Sequence, residues 1–332
     1  VATDGPRNAL YDVAVPAVPA LDDALVRAYR DRLATWFARR GRQLVFRERS
    51  EPWGVLVSEV MAQQTQIARV EPAWVTFMER FPTPAALASA SPADVLRAWA
   101  GMGYNRRALN LQRAAATLVE RHGGELPRTV EELEALPGVG PYTARAVAAI
   151  AFGVPVAAVD TNVRRVVGRV VAGHGAAADP GEPPPAKALQ AVADALVDPG
   201  DPAAWTHATM DLGATLCRPA NPRCDACPFD GICRRRSLVG DGIFSGTPMP
   251  MPATRRPAAR DRTAEPAFPS TRRWLRGRIV ERLRDLPDGA WTVIGGPIGE
   301  HDAEAVGAAI DGLVGEGMIE RGPDGAIRLP SG

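Results

Sequence analysis

Two acidic side chains stand in surroundings that alter carboxyl chemistry. Glu59 is embedded among Val55, Leu56, Val57, Val60 and Met61. An acid in so apolar a segment either reaches solvent or has its pKa raised by desolvation. A raised pKa is what an acid catalyst near neutral pH needs. Asp160 follows an apolar exit ending at Val159 and precedes Thr161-Asn162-Val163, where a helix would be capped. Ordinary N-capping explains it; the functional alternative is a carboxylate held at the mouth of a cleft. Two carboxyls in unlike environments can divide proton donation from electrostatic stabilisation.

Two further strings carry chemistry. Leu136-Pro137-Gly138-Val139-Gly140-Pro141-Tyr142-Thr143-Ala144 follows a short acidic helix and opens an apolar one. Its glycines permit a tight turn, Pro141 fits a first helical turn, and the exposed N–H groups of such an end can hold a phosphate without a lysine. A hairpin used only for packing is the competing reading. The string is not a nucleotide-binding P-loop, because the terminal Lys-Ser/Thr pair is absent. The four cysteines form the frame Cys217-x6-Cys224-x2-Cys227-x5-Cys233. Four thiolates suit zinc or an iron–sulfur cluster. Only Cys224 and Cys227 make a tight knuckle, and the uneven spacing favours a loop wrapped around a cube, with zinc and uncoordinated cysteines left open. Arg218, Arg223 and Arg234–Arg236 outweigh Asp225 and Asp230 there and would balance a negatively charged cluster.

The elements that must position these residues read as short helices. Apolar spacing predicts helices over 21–40, 54–68, 70–80, 92–99, 106–121, 131–136 and 141–152, another from Asp160, then 186–197 and 203–215. No comparable series of alternating strands appears, so the body is mainly α. Residues 1–20 read as a flexible arm, and 237–270, rich in Gly, Pro, Ser, Thr and Arg, as a linker. The terminal part, 271–332, reads as helices at 272–286 and 302–316 followed by a short hairpin, a small winged-helix-like module. It carries 8 arginines against 10 acids, which argues against an independent grip on a polyanion.

Composition sets outer bounds. The 332 residues allow about two domains. A formal charge of +1 excludes a uniformly basic coat but not a local basic face. Lys187 is the single lysine among 39 basic residues. No apolar run approaches the roughly 18 residues of a membrane span, the N-terminus lacks signal-peptide order, and the cysteines are clustered rather than scattered as in stapled secreted domains. A cytoplasmic protein with no membrane partner is expected.

In combination, Ser58 to Gln66, Gly101-Met102-Gly103-Tyr104, Leu136 to Ala144, Val159 to Asn162, Met210-Asp211-Leu212-Gly213-Ala214 and the cysteine loop resemble MutY-type adenine DNA glycosylases of the helix-hairpin-helix superfamily. The resemblance covers roughly residues 25–236. It implies a two-lobed fold: a six-helix barrel with the hairpin over 50–165, and a lobe from 21–49 and 166–236 carrying a [4Fe–4S] cluster on Cys217, Cys224, Cys227 and Cys233. Double-stranded DNA containing a mismatch or oxidised base would bind a monomeric bacterial enzyme, associated with the nucleoid through that DNA, with the target base flipped out. The resemblance makes Glu59 the acid that protonates adenine N7, Asp160 the carboxylate stabilising the sugar cation, and Tyr142 their assistant. Asn162 would orient the acids. Gln63, Gln64, Tyr104, Phe46 and Arg47 would meet DNA bases, with Tyr104 wedging beside the opposing 8-oxoguanine. Gly138, Val139, Gly140, Tyr142 and Thr143 would hold phosphate, and a structural monovalent cation would sit at the hairpin. In the related endonuclease III-like enzymes a lysine replaces Tyr142 and forms a Schiff base, which a tyrosine cannot do. Base removal without an efficient lyase step is therefore expected.

Departures bear on substrate choice. Phe46 stands where the family usually has tryptophan, Ala62 where it has leucine, and Asn105 where a second aromatic is common. Residues 271–332 are too few and too helical for the Nudix-like domain of many relatives, and resemble the short terminal modules of actinobacterial ones. A glycosylase for thymine, uracil or hypoxanthine mismatches, and a catalytically inactive lesion-binding protein, are the competing readings.

Overall fold

The computed structural model describes residues 21–48, 51–174, 185–239 and 267–331. The expected arm over 1–20 and most of the expected linker lie outside them. In chain order the helices are α1 (Asp23–Arg40), α2 (Pro52–Ala62), α3 (Ile67–Arg80), α4 (Pro84–Ala88), α5 (Pro92–Ala98), α6 (Arg106–His122), α7 (Val130–Glu134), α8 (Pro141–Phe152) and α9 (Thr161–Ala172). There follow α10 (Ala186–Leu196), α11 (Pro202–Thr215), α12 (Arg234–Val239), α13 (Arg272–Arg284) and α14 (Ala303–Gly315), then strands β1 (Glu320–Arg321) and β2 (Ile327–Arg328). The molecule is mainly α, and among the described residues no helix is long and apolar enough to cross a membrane.

Contacts divide the chain into two compact units, residues 1–42 with 153–252, and 43–152 with 253–332. In the first, α1 packs against helices more than 150 residues later. Tyr29 and Leu33 join Val163, Val167, Leu189 and Leu212 in one core, and Tyr29 stacks on Phe229 of the cysteine loop with ring centroids 4.3 Å apart. Beyond the C-terminal end of α1, Arg42 pairs with the fully buried Asp211 of α11, its Nε donating to Oδ1 at 2.7 Å and its backbone N–H to Oδ2 at 2.8 Å. The valine face of α9 belongs to this core, so the contact division falls at Gly153, ahead of α9, whereas the resemblance implies one at 165/166.

The second unit is built around α2, whose apolar residues are almost all buried. Gly54 lets α3 approach: a Cβ there would stand 3.2 Å from the Trp74 ring, and Trp74 Nε1 donates to the Gly54 carbonyl. The helix expected over 54–68 is two helices. Pro52 starts α2 earlier, and the chain turns after Ala62, with Gln64 at φ 53°. Short α4 and α12 were not anticipated; Thr83 caps α4 through its hydroxyl. Between α7 and α8, Gly138 adopts φ 78°, and a Cβ there would meet Asn110 Cβ at 2.6 Å. Gly140 has no such requirement, since a Cβ there meets nothing within 4 Å. The terminal segment has two helices and a strand pair, with Thr292 bridging Ile327. Leu275, Ile279 and Leu283 of α13 share a core with Ala93 and Leu96 of α5 and Leu109 of α6, and the Ala93 N–H donates to the Pro330 carbonyl.

Removing Asp211 as a partner leaves a buried, desolvated site around Arg42. Asp211→Ala is expected to cost about 3 kcal/mol, measured by urea denaturation followed by tryptophan fluorescence. Gly138→Ala is expected to destabilise by about 1–3 kcal/mol through its forbidden φ and the Asn110 clash, whereas Gly140→Ala stays within about 0.5 kcal/mol of the parent. Equal costs at the two glycines would contradict this account of the turn.

Candidate active site

The second unit brings α2 and the start of α8 together. Glu59, half-buried on α2, accepts a hydrogen bond from the Tyr142 hydroxyl at 3.0 Å. One turn on, Gln63 Nε2 donates to the buried Thr143 Oγ1 at 3.1 Å. Two side chains of the hairpin's trailing helix therefore fix one carboxyl and one amide. The other expected hairpin residues divide by role. The Val139 side chain is buried and its N–H donates to the Leu136 carbonyl, so Val139 closes the turn. Donors for an anion come instead from the opening turn of α8, whose N–H groups lack intrahelical acceptors. No carboxylate lies within Leu136–Thr143, so a cation there would have backbone and hydroxyl oxygens as its ligands.

Arg107 was not singled out from the sequence. Its Nη1 donates to the carbonyls of Val60 at 2.8 Å, Met61 at 2.9 Å and Gln63 at 2.6 Å, the acceptors that the C-terminus of α2 leaves open. Its Nη2 donates to Thr65 Oγ1 and to the carbonyls of Met102 and Gly103. Burial lowers its pKa to about 10, which still leaves it charged at neutral pH. The guanidinium thus joins the Gln63-Gln64 turn to the Gly101–Tyr104 loop. It also lies 5.4 Å from the Trp99 ring centroid and 5.6 Å from that of Tyr104.

Gln64 at φ 53° and Tyr104 at φ 45° are two of three non-glycine residues with positive φ among those described. Each such position costs on the order of 1–3 kcal/mol and persists where the surroundings over-determine it. Both side chains are exposed, and both belong to the set expected to meet DNA. Phe46 does not join them. It is buried edge-on against Trp74, with centroids 6.4 Å apart, so its placement is that of a core residue. Arg47 is half-buried beside it on a 3₁₀ turn.

In the first unit, Asp160 caps α9 with Oδ1, which accepts from the Val163 N–H at 2.7 Å, while Oδ2 accepts from Asn162 Nδ2 at 2.8 Å. Asn162 Oδ1 in turn accepts from Arg165 at 2.6 Å, and Arg165 also donates to the Gly213 carbonyl. Gly213 has to be glycine: a Cβ there would stand 2.5 Å from Asn162 Cβ. Capping and a functional carboxylate are therefore compatible, because each oxygen has a different donor.

The four cysteines are reduced and ring one cleft walled also by Arg169, Phe229 and Arg236. Among the described residues no three His, Cys, Asp or Glu side chains converge as a single bound ion requires. A cluster takes each thiolate on a different iron and needs them spread. Burial pushes the Cys227 thiol up to about 12, opposed by a backbone hydrogen bond from Phe229 and reinforced by the other thiols; Cys233 moves in the same direction. Arg169 donates to Cys217 Sγ at 3.4 Å and to the Arg218 carbonyl at 2.7 Å, and Arg165 to the Cys217 carbonyl at 2.6 Å. These α9 arginines were missed in the sequence, where the run 234–236 drew the charge argument. Arg236 pairs with Asp225 and Asp230.

Residues 57–181 match the model of the HhH-GPD superfamily base excision DNA repair proteins. The adenine DNA glycosylase of Mycolicibacterium smegmatis is 39% identical over 299 residues, 90% of this chain and 94% of that protein. The human adenine DNA glycosylase is 43% identical over 242 residues, 68% of this chain and 44% of that protein. Among solved structures, a thermostable thymine-DNA glycosylase superposes with a TM-score of 0.57 at 25% identity, covering 64% of this chain and 97% of the other. An endonuclease III–DNA complex gives 0.55 at 27%, covering 65% and 97%. On the 39% identity over nine-tenths of both chains, the chain belongs to the adenine DNA glycosylase family.

Proposed function

We propose that the protein removes adenine mispaired with 8-oxoguanine or guanine from double-stranded DNA, as a monofunctional glycosylase. The observation that carries this reading is the 3.0 Å hydrogen bond from Tyr142 to Glu59 at the hairpin. Cleaving the N-glycosidic bond leaves the electron pair on the departing base and positive charge on the deoxyribose. Glu59, as the carboxylic acid, gives its proton to adenine N7 as the bond breaks. Tyr142 steers the carboxyl by occupying one oxygen. Asp160, oriented by Asn162 and the Val163 N–H, supplies negative charge for the sugar cation. Water then adds to the anomeric carbon and returns a proton to the Glu59 carboxylate, restoring the acid. No step requires an amine, and the single lysine, Lys187, lies on α10.

Gln64 and Tyr104, exposed and held at positive φ, are the residues we assign to the opened strand and the opposing base. The start of α8 is the phosphate contact. A [4Fe–4S] cluster on Cys217, Cys224, Cys227 and Cys233 would cross-link the loop and hold it against α9 through Arg165 and Arg169; it supplies no electron to base removal. A bacterial monomer acting in the cytoplasm is the setting that fits this reading.

Glu59→Gln is expected to slow single-turnover adenine release by about 100-fold or more while leaving duplex binding nearly intact. Tyr142→Phe should slow it by about tenfold, the upper worth of one ordinary hydrogen bond. Wild-type rates for the glutamine variant would remove Glu59 from the mechanism. Borohydride should trap no covalent DNA adduct. A duplex panel of A·8-oxoguanine, A·G, T·G, U·G and hypoxanthine pairs tests substrate choice: release from T·G or U·G alone would overturn the adenine assignment. Binding should weaken steeply with salt if backbone phosphates are gripped, and a flat titration argues against the hairpin contact.

A further inference from the structure

The terminal segment is more than an appendage packed on α5. Its helix α13 reaches the Gly101–Asn105 loop from both ends. At the N-terminal end, Arg273 donates a short hydrogen bond to the Tyr104 hydroxyl. Its guanidinium carbon also stands 5.2 Å from the Tyr104 ring centroid and 4.9 Å from that of Phe268. At the C-terminal end, Arg284 donates to Asn105 Oδ1 at 2.7 Å. Eleven helical steps lead from one arginine to the other, about 16 Å at 1.5 Å per residue, whereas Tyr104 and Asn105 are adjacent in sequence. Both stems therefore lean inward toward one loop.

Docking of α13 does not require these contacts. Leu275, Ile279 and Leu283 already bury the helix against Ala93, Leu96 and Leu109, and Arg97 pairs with Asp288 across the same face. Arg273 is exposed apart from its contact with Tyr104 and the half-exposed Phe268. The Tyr104 ring consequently has two guanidiniums near it, Arg107 within its own layer of helices and Arg273 from the terminal segment. A tyrosine at φ 45° in a loop containing two positive-φ glycines, Gly101 and Gly103, has little else to define its direction.

We propose that Arg273 is a positioning residue for base discrimination: with Arg284 and Phe268 it holds the Tyr104 wedge, so that the terminal segment tunes which opposing base is accepted without touching the reacting atoms. This rests on Tyr104 facing DNA, as assigned above. The asparagine at 105, where relatives commonly have an aromatic, becomes the anchor for Arg284, and Phe268 supplies an aromatic ring from elsewhere in the chain.

The test uses the full-length protein carrying Tyr104→Ala, Arg273→Ala, Arg273→Lys, and the first two together. Single-turnover rates are read on adenine opposite 8-oxoguanine and opposite cytosine, and amide exchange is followed across residues 101–106. Arg273→Ala is expected to leave the melting temperature unchanged, to accelerate exchange in that loop and to reduce the ratio of the two rates by about tenfold, the scale of one exposed cation–π contact with its hydrogen bond. Arg273→Lys keeps the charge but loses the planar stack, and should recover only part of the ratio. The double variant should be no worse than Tyr104→Ala. Unchanged exchange in Arg273→Ala, or a rate ratio within twofold of the parent while Tyr104→Ala lowers it, would overturn the positioning role. Faster exchange with no effect of Tyr104→Ala on the ratio would instead overturn the assignment of Tyr104 to DNA, and the proposal with it.

Discussion

One half-buried guanidinium organises the loops at the end of α2 in the second unit. Arg107 satisfies three carbonyls at the C-terminus of α2 and two in the Met102–Gly103 loop, and it supports two residues at positive φ that an unbraced chain would relax. Lysine could not replace it. A point ammonium has three donors and no plane, whereas this site uses a fork in plane and aromatic faces above it. The loss would propagate in both directions, to the Gln63–Thr143 link that orients the hairpin helix and to the loop bearing Tyr104. Glu59 immediately precedes the Arg107-capped carbonyls of Val60, Met61 and Gln63, so its placement depends on the same cap.

Similar use of arginine explains a composition that at first looked paradoxical. A chain with net charge +1 and one lysine has no general basic coat, yet arginines recur wherever two segments must be tied through their carbonyls. Arg165 and Arg169 bind the cysteine loop to α9, and Arg30 satisfies carbonyls at the end of α10. Arg42 pairs with Asp211. Five fixed donors per side chain make arginine a connector for irregular backbone, and helix ends abound in a fold made of many short helices.

Local signals were more legible in the sequence than long-range supports. The cysteine frame, Asp160 as a helix cap and Gly138 as a turn residue are local signals, each fixed by neighbours within a few residues. Glu59 was legible because a charge in an apolar run is anomalous. The turn after Ala62 was not, since apolar periodicity runs through it and the partner that ends the helix, Arg107, lies more than 40 residues away. An arginine in the first turn of a helix reads as solvent-facing, and nothing local distinguishes Arg107 from Arg106 beside it. Phe46 was assigned to DNA by analogy with a tryptophan, while its contacts are with Trp74. Gly140 was credited with the same conformational need as Gly138, although only Gly138 has it. The attachment of α13 depended on long-range apolar complementarity, which charge counting over 271–332 could not reveal.

The discontinuity of the first unit has a consequence for biosynthesis. Helix α1 shares its core with α9, α10 and α11, and the Arg30 bond to Leu196 joins residues 166 apart. At ribosomal rates of roughly 5–20 residues per second, the nascent helix waits on the order of 8–30 s for its docking surface. During that interval the helices of 43–152 can form while the tyrosine and leucine of α1 remain uncovered, and the rest of the second unit, 253–332, follows later still. Maturation of the cysteine loop is thereby postponed until late in translation, and Tyr29 stacking on Phe229 becomes a step that closes the first unit.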